Sequence, residues 1–298
     1  AGLIAKKSQE MHSKIAANMQ VRAKILAQRT DLDPEIAGRA IKKGIGDFTE
    51  AFTQKGGTLY DKLDEFVKAD APVGLQNTIA TLDKLTAIVP GAEKTSAALT
   101  NKNLAAVADA VRADTAGSGQ MPYGVVKALR SKLGRMMTST SLTDDLPRAE
   151  VKQLYAALTS DMETTARAVG PEAEKALSRA NQYWQAGMTR IDDVLDPLVS
   201  KDIPEKVFKS LESGGKEGAT QIRAVMRSLP DEERRIVVGT IITRLGKAAP
   251  GAQDEAGGLF DLNRFLTQWN SMSPRTRDAI FDNDPGTREA LDRVARIA

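Results

Sequence analysis

The chain has 298 residues, with 42 Lys and Arg against 39 Asp and Glu, a formal net charge of +3, no cysteine and one histidine, His12. This composition excludes disulfides, thiolate metal sites and thiol nucleophiles, and leaves His12 as the only base for a Ser-His-Asp arrangement. Aromatics make up only 4% and alanine is frequent. Close packing of small residues along helices is therefore expected rather than a sandwich or barrel, in one large or two ordinary domains.

Residues 1–30 read as a basic amphipathic helix, with Ile4, Met11, Ile15, Met19 and Leu26 on one side and Lys6, Lys7, Lys14, Arg22, Lys24 and Arg29 facing only Glu10. Asp33-Pro34 is an N-cap followed by a proline at the first helical position. The helix it opens carries Ile36, Ala40, Ile41, Ile45, Phe48 and Phe52 and is expected to stop at Gly56-Gly57. A further helix with Leu59, Leu63, Phe66 and Val67 is expected to follow, broken before Pro72. Leu75, Ile79, Leu82, Leu85 and Ile88 recur at steps of four and three up to Pro90. Leu104, Val107, Ala108 and Val111 precede the break at Gly117-Ser118-Gly119.

From Pro122 a cationic helix runs through Val125, Val126, Leu129, Leu133 and Met136, with Lys127, Arg130, Lys132 and Arg135 on its polar side and no acid within it. Two long stripes follow. Val151, Leu154, Leu158, Met162 and Val169 end at Gly170-Pro171, and Leu177, Ala180, Trp184, Met188, Ile191 and Leu195 end at Pro197. Long helices joined by so short a break predict an antiparallel hairpin over 149–195. The last hundred residues use shorter helices: one capped by Asp202 and ended by Gly214-Gly215, one with Ala219, Ile222, Val225 and Leu229, and one opened by Ser228 and Asp231 to Glu233 that contains Ile236 to Leu245 and ends at Gly246. Its run Ile236 to Ile242 would suit a strand taken alone, but an acidic first turn and Arg244 before Gly246 favour a helix. Lys247 to Gly258 reads as a loop, Leu262 to Trp269 as a compact helix, Ser273-Pro274 as a cap and Asp282 to Gly286 as a turn. No strand pair is expected.

The fold class is thus all-α: an elongated multi-helix protein with a long antiparallel helical hairpin and a C-terminal cluster of short helices. The breaks suggest four regions, 1–30, 31–120, 121–200 and 201–298. No transmembrane helix is expected, since the longest charge-free stretches run about a dozen residues, short of the ~20 a span needs. The chain starts without methionine and ends inside a helical pattern from Arg288, as a fragment or processed product would.

Little catalytic chemistry is visible. The adjacent acids Asp144-Asp145, Asp192-Asp193 and Glu232-Glu233 point in different directions on a helix or favour its first turn, whereas glycosidases bring two carboxylates together across a cleft. Gly214-Gly215-Lys216-Glu217-Gly218 and Gly246-Lys247-Ala248 lack the spacing of a phosphate loop. Asp282-Asn283-Asp284-Pro285-Gly286 is not an EF-hand loop. No metal, cofactor or catalytic residue is expected. The basic helices 1–30 and 122–137 allow two readings. Either each is a core stripe with a solvated basic face, or Lys6, Lys7, Lys14, Arg22, Lys24, Lys127, Arg130, Lys132 and Arg135 contact an anionic membrane surface, a nucleic-acid backbone or an acidic helix.

From residue 121 onward the chain resembles the internal virion, or DNA-ejection, proteins of tailed phages and prophages. The resemblance lies in Met121-Pro122-Tyr123-Gly124-Val125-Val126-Lys127-Ala128-Leu129-Arg130-Ser131-Lys132-Leu133-Gly134, in Leu154-Tyr155-Ala156-Ala157-Leu158 with Asp161-Met162-Glu163, and in Ala180-Asn181-Gln182-Tyr183-Trp184. Its most specific parts are Gly214 to Thr220, Pro250 to Gly257, and Phe265-Leu266-Thr267-Gln268-Trp269-Asn270 with Ser273-Pro274. It covers roughly the last 180 residues. The resemblance implies a non-enzymatic structural protein, carried in the capsid or tail and released ahead of the genome into the host envelope or periplasm. There it would oligomerise into a conduit, with other ejection, portal or tail proteins, phage DNA and peripheral membrane contact as the implied partners. No motif of a peptidoglycan-cleaving domain is visible. The alternative is a nucleic-acid-associated or scaffold-type helical phage protein that uses its basic helices.

Overall fold

The computed structural model describes residues 2–27, 32–138, 146–201, 203–213, 218–248 and 260–297. Asp144-Asp145, Asp202, Gly214-Gly215 and most of the 247–258 loop lie outside the described residues. The described chain is all-α apart from one pair of three-residue strands. Its elements are α1 (Gly2–Ala27), α2 (Pro34–Asp61), a 3₁₀ turn (Lys62–Glu65), β1 (Pro72–Gly74), α3 (Gln76–Leu85), α4 (Glu93–Leu99), α5 (Lys102–Thr115), β2 (Gln120–Pro122), α6 (Tyr123–Thr138), α7 (Arg148–Val169) and α8 (Pro171–Arg190). A π-helical turn (Ile191–Leu195) follows, then α9 (Asp196–Val199), α10 (Pro204–Ser213), α11 (Gly218–Ser228), α12 (Asp231–Leu245), α13 (Leu262–Ser271), α14 (Pro274–Ile280) and α15 (Pro285–Ile297).

Packing divides the chain into two compact units, Ala1–Glu50 with Met188–Ala298, and Ala51–Gly187. The four consecutive regions expected from breaks in the sequence are thus regrouped, and residues 1–30 do not form a region of their own. Gly and Pro mark where helices end, not which helices share a core.

In the unit of residues 51–187, α7 packs against α3 and α6 over Leu82, Val126, Leu133, Leu154, Leu158 and Met162, all buried. The expected hairpin is present. Pairs Tyr155–Trp184, Glu163–Asn181 and Arg167–Glu174 step in opposite directions along α7 and α8, as antiparallel helices require. The turn between them is Gly170, whose φ of +146° is open to glycine and costly for other residues.

Four expectations are corrected. β1 and β2 do pair, antiparallel with Val73 opposite Met121, both buried. Three-residue strands are too short for an alternation that sequence can reveal. The α2 helix continues through Gly56-Gly57 to Asp61; a Cβ on Gly56 would lie 2.9 Å from the Trp184 ring, so glycine here serves a close approach and not a helix end. Pro197 does not stop the chain's helical course. The Asp196 N–H bonds the carbonyl of Ile191, five residues back, and Pro197 falls in the first turn of α9, where its missing N–H is not needed. Finally, the segment Asp282 to Gly286 is not only a turn: Asp284 accepts from the Thr287 N–H at 3.0 Å at the start of α15.

In the unit of residues 1–50 and 188–298, α12 is the central helix. Ile236, Val237, Val238, Thr240, Ile241 and Ile242 are all buried, so this stretch of the helix is covered on every side. Such a helix has no amphipathic stripe, which explains its strand-like reading in isolation. Lys43 on α2 donates to Glu233 on α12 at 2.5 Å, and Asp33 caps α2 as expected, accepting from the Ile36 N–H at 2.8 Å. The α11 helix packs on α14 and is clamped there by Asp282, which accepts from Arg227 Nε at 2.6 Å. That bond, with the Arg227 and Arg223 charges, holds the Asp282 carboxyl below the usual range. A depressed folded value means the stabilisation is complete above the unfolded carboxyl value of about 4 and is lost as pH falls below it. Thermal midpoints measured from pH 7 down to pH 3 should therefore decline less steeply below about pH 4 for Asp282→Asn than for the parent chain. Identical profiles would show that the clamp contributes nothing.

Candidate functional site

The two basic helices meet different fates. The α1 helix packs along α12 with Ala16, Met19 and Ala23 buried; of the expected stripe, Met19 is buried, Ile15 half-buried and Met11 exposed. Small side chains let helix axes come close, and close approach is what a bulky β-branched helix such as α12 can fill. The consequence is an outward face on which Met11 is 50% exposed, Val21 53% and Ile25 67%. At 100° per residue these three share the side of the helix occupied by Lys7, Lys14 and Arg22, with Glu10 at its edge. Lys6 is also exposed and Lys24 half-buried. Arg22 and Ile25 also border a largely apolar groove of about 320 Å³ between α1, α12 and α15.

In α6 the basic residues are largely taken up by the protein itself. Lys127 bonds Asp61 at 2.7 Å and Asp64 at 2.5 Å. Acids absent from α6 are thus supplied by the end of α2 and the 3₁₀ turn. Arg130, expected on the polar side, is only 4% exposed, because it lies on the buried line Val126, Arg130, Leu133 and Met137. The expected stripe was rotated toward Val125, which is 49% exposed. Lys132 and Arg135 remain exposed.

The Arg130 guanidinium lies between the rings of Tyr60 and Tyr155, 3.9 and 4.2 Å from their centroids. Nε donates to Thr159 Oγ1 at 2.9 Å, and Nη2 donates to the Tyr60 hydroxyl at 2.6 Å and to Asn181 Oδ1 at 3.2 Å. Asn181 in turn donates to Glu163 at 2.7 Å. No carboxylate pairs with Arg130 among the described residues, and Nη1 finds no acceptor there. Cation–π contact on both faces offsets part of the cost of burying the charge. Burial pushes the Tyr155 hydroxyl up, so it keeps its proton at neutral pH.

Beside Arg130 is a cavity of about 240 Å³ between α2, α6, α7 and α8. Sequence reasoning named Arg130 and Arg135 but missed Trp184 and Tyr155, which come from separate helices. The one available signal was the four-residue step from Val126 to Arg130, which sets the arginine on the apolar line.

A larger cavity, about 810 Å³, is in the other unit beside α12, where the Thr240 and Thr243 hydroxyls are buried without partners among the described residues. Among the described residues no cluster of His, Asp or Glu could hold a metal ion, and no helix is long and apolar enough to cross a membrane. Comparisons with family models, curated proteins and solved structures give no match to this chain.

Proposed function

We propose that the chain is a structural, non-enzymatic internal virion protein of a tailed phage, which oligomerises to help form the genome-delivery conduit across the host cell envelope. The reading draws on the resemblance of the segments between Met121 and Pro274 to ejection proteins. The structural observation that supports it is the outward face of α1. Three large apolar side chains standing among Lys7, Lys14 and Arg22 suit burial against another copy of the chain at an anionic surface. In the assembled state this face is covered, with other ejection, portal or tail proteins as neighbours. The protein then passes from the virion interior to the host envelope or periplasm.

Light scattering and electron microscopy of the full chain test this. Rings or tubes are the expected result, and the double variant Val21→Glu, Ile25→Glu should shift the population at least about tenfold toward monomer while its circular dichroism is unchanged. A parent chain that stays monomeric at high concentration sinks the proposal.

A second reading, a nucleic-acid-associated or scaffold-type phage protein, draws on the exposed Lys6, Lys7, Lys14, Arg22, Lys132 and Arg135. A gel shift that weakens steeply with salt, and less steeply once these are replaced by Gln, would favour it.

A further inference from the structure

We infer that the cavity beside Arg130 is a binding site for a small oxyanion, a phosphate or carboxylate group. This does not rest on the assembly role proposed above. One buried donor in the cavity wall lacks an acceptor, and a largely buried cation there lacks a counter-charge among the described residues. Arg130 is 4% exposed, has no carboxylate partner among the described residues and leaves Nη1 unbonded. Trp184 is 7% exposed, and its Nε1–H is buried without a partner. Buried charges are ordinarily paired and buried donors ordinarily bonded, so an uncompensated guanidinium beside an orphan indole N–H points to an acceptor supplied from outside.

The rest of the wall matches that acceptor. Ser131 adds a hydroxyl, Arg135 a second guanidinium, and among the described residues no carboxylate lines the cavity. With Nε and Nη2 engaged, Arg130 offers Nη1 as a charged donor, and a charge-assisted bond favours a phosphate or carboxylate oxygen over a neutral ligand. At about 240 Å³ the space is below the roughly 300–1,000 Å³ of pockets for drug-sized molecules, which suits a small ion or one anionic group. The exposed residues of the lining are Gly57, Ser131 and Arg135, so access is between them. Gly57 is exposed, and a Cβ built there meets nothing within 4 Å.

The test follows the two indole N–H signals of the ¹⁵N-labelled full chain. Trp184 reports the cavity; Trp269, whose Nε1–H is bonded to Asp292 at 3.0 Å in the other unit, is the internal control. Sodium phosphate and sodium acetate are titrated separately at constant ionic strength. The Trp184 signal should move saturably while the Trp269 signal stays in place. Saturation with phosphate alone assigns a tetrahedral oxyanion, with acetate alone a carboxylate, and with both a general oxyanion site. Two surface variants keep the test independent of folding. Arg135→Glu sets a like charge against the ligand and Gly57→Leu obstructs the entrance, and each should weaken binding by about tenfold or more. The saturating ion should also raise the thermal midpoint of the parent chain and not that of Arg135→Glu. The inference is overturned if neither ion moves the Trp184 signal saturably, if both indole signals move together, or if both variants bind as tightly as the parent.

Discussion

Replacing Asp161 by Ala should lower the unfolding free energy by about 3–5 kcal/mol, the largest loss expected from any single polar residue in the unit of residues 51–187. Asp161 is on α7, 2% exposed, yet its carboxylate caps a different helix. Oδ1 accepts from the Asn77 N–H at 3.0 Å and from Asn77 Nδ2 at 2.8 Å; Oδ2 accepts from the Thr78 N–H at 2.9 Å and the Thr78 hydroxyl at 2.7 Å. These are second- and third-position amides of α3, whose own N-cap residue, Leu75, has no side chain that can accept. The truncation leaves the buried Thr78 N–H and hydroxyl unsatisfied at the positive end of the helix, and each costs about 1–3 kcal/mol. Asp161→Asn should cost less, because one oxygen still accepts while the new amide opposes a donor. Denaturant unfolding decides between two accounts. A loss near 1 kcal/mol would reduce Asp161 to an ordinary surface-type cap.

In the other unit, Trp269→Ala should cost about 3–5 kcal/mol. Trp269 is wholly buried, stacked on Phe265 at 5.8 Å and meeting the edge of Phe281 at 5.7 Å. Its Nε1–H donates to Asp292 at 3.0 Å, and Asp292 also accepts from Arg277 at 2.9 Å. One side chain therefore joins α13, α14 and α15, and its removal opens a void between three helices that cannot all close on it. Trp269→Phe keeps a ring in place and loses the hydrogen bond, so its cost should be nearer 1–2 kcal/mol. Chemical denaturation of the two variants checks both the size and the order. Equal losses would mean that the hydrogen bond matters and the packing does not.

These two residues show how far the sequence could be read. Trp269 was legible, since Leu262, Phe265, Leu266 and Trp269 repeat at helical spacing and an aromatic on that line belongs in a core. Asp161 was not, because in sequence it is an acid within a helix, and its role depends on α3 lying across α7. Arg130 falls between. Its spacing from Val126 set it on the apolar line, but its charge suggested solvent, and only the stacked Tyr60 and Tyr155 rings make its burial tolerable.

By itself the sequence determined what depends on neighbours three or four positions away. That includes the all-α class, the Asp33-Pro34 start of α2, the hairpin turn at Gly170 and the helix over Asp231 to Leu245 against its own β-branched composition. Tertiary structure decided what depends on distant partners. It chose the alanine side of α1 for the core and turned Val21 and Ile25 outward. It drew Gly56-Gly57 into a helix against the Trp184 ring, and gathered both ends of the chain into one unit. It also set Arg130, Tyr155 and Trp184 around one cavity. Periodicity says that a helix has a buried side, but the shape and size of the opposing side chains decide which side that is.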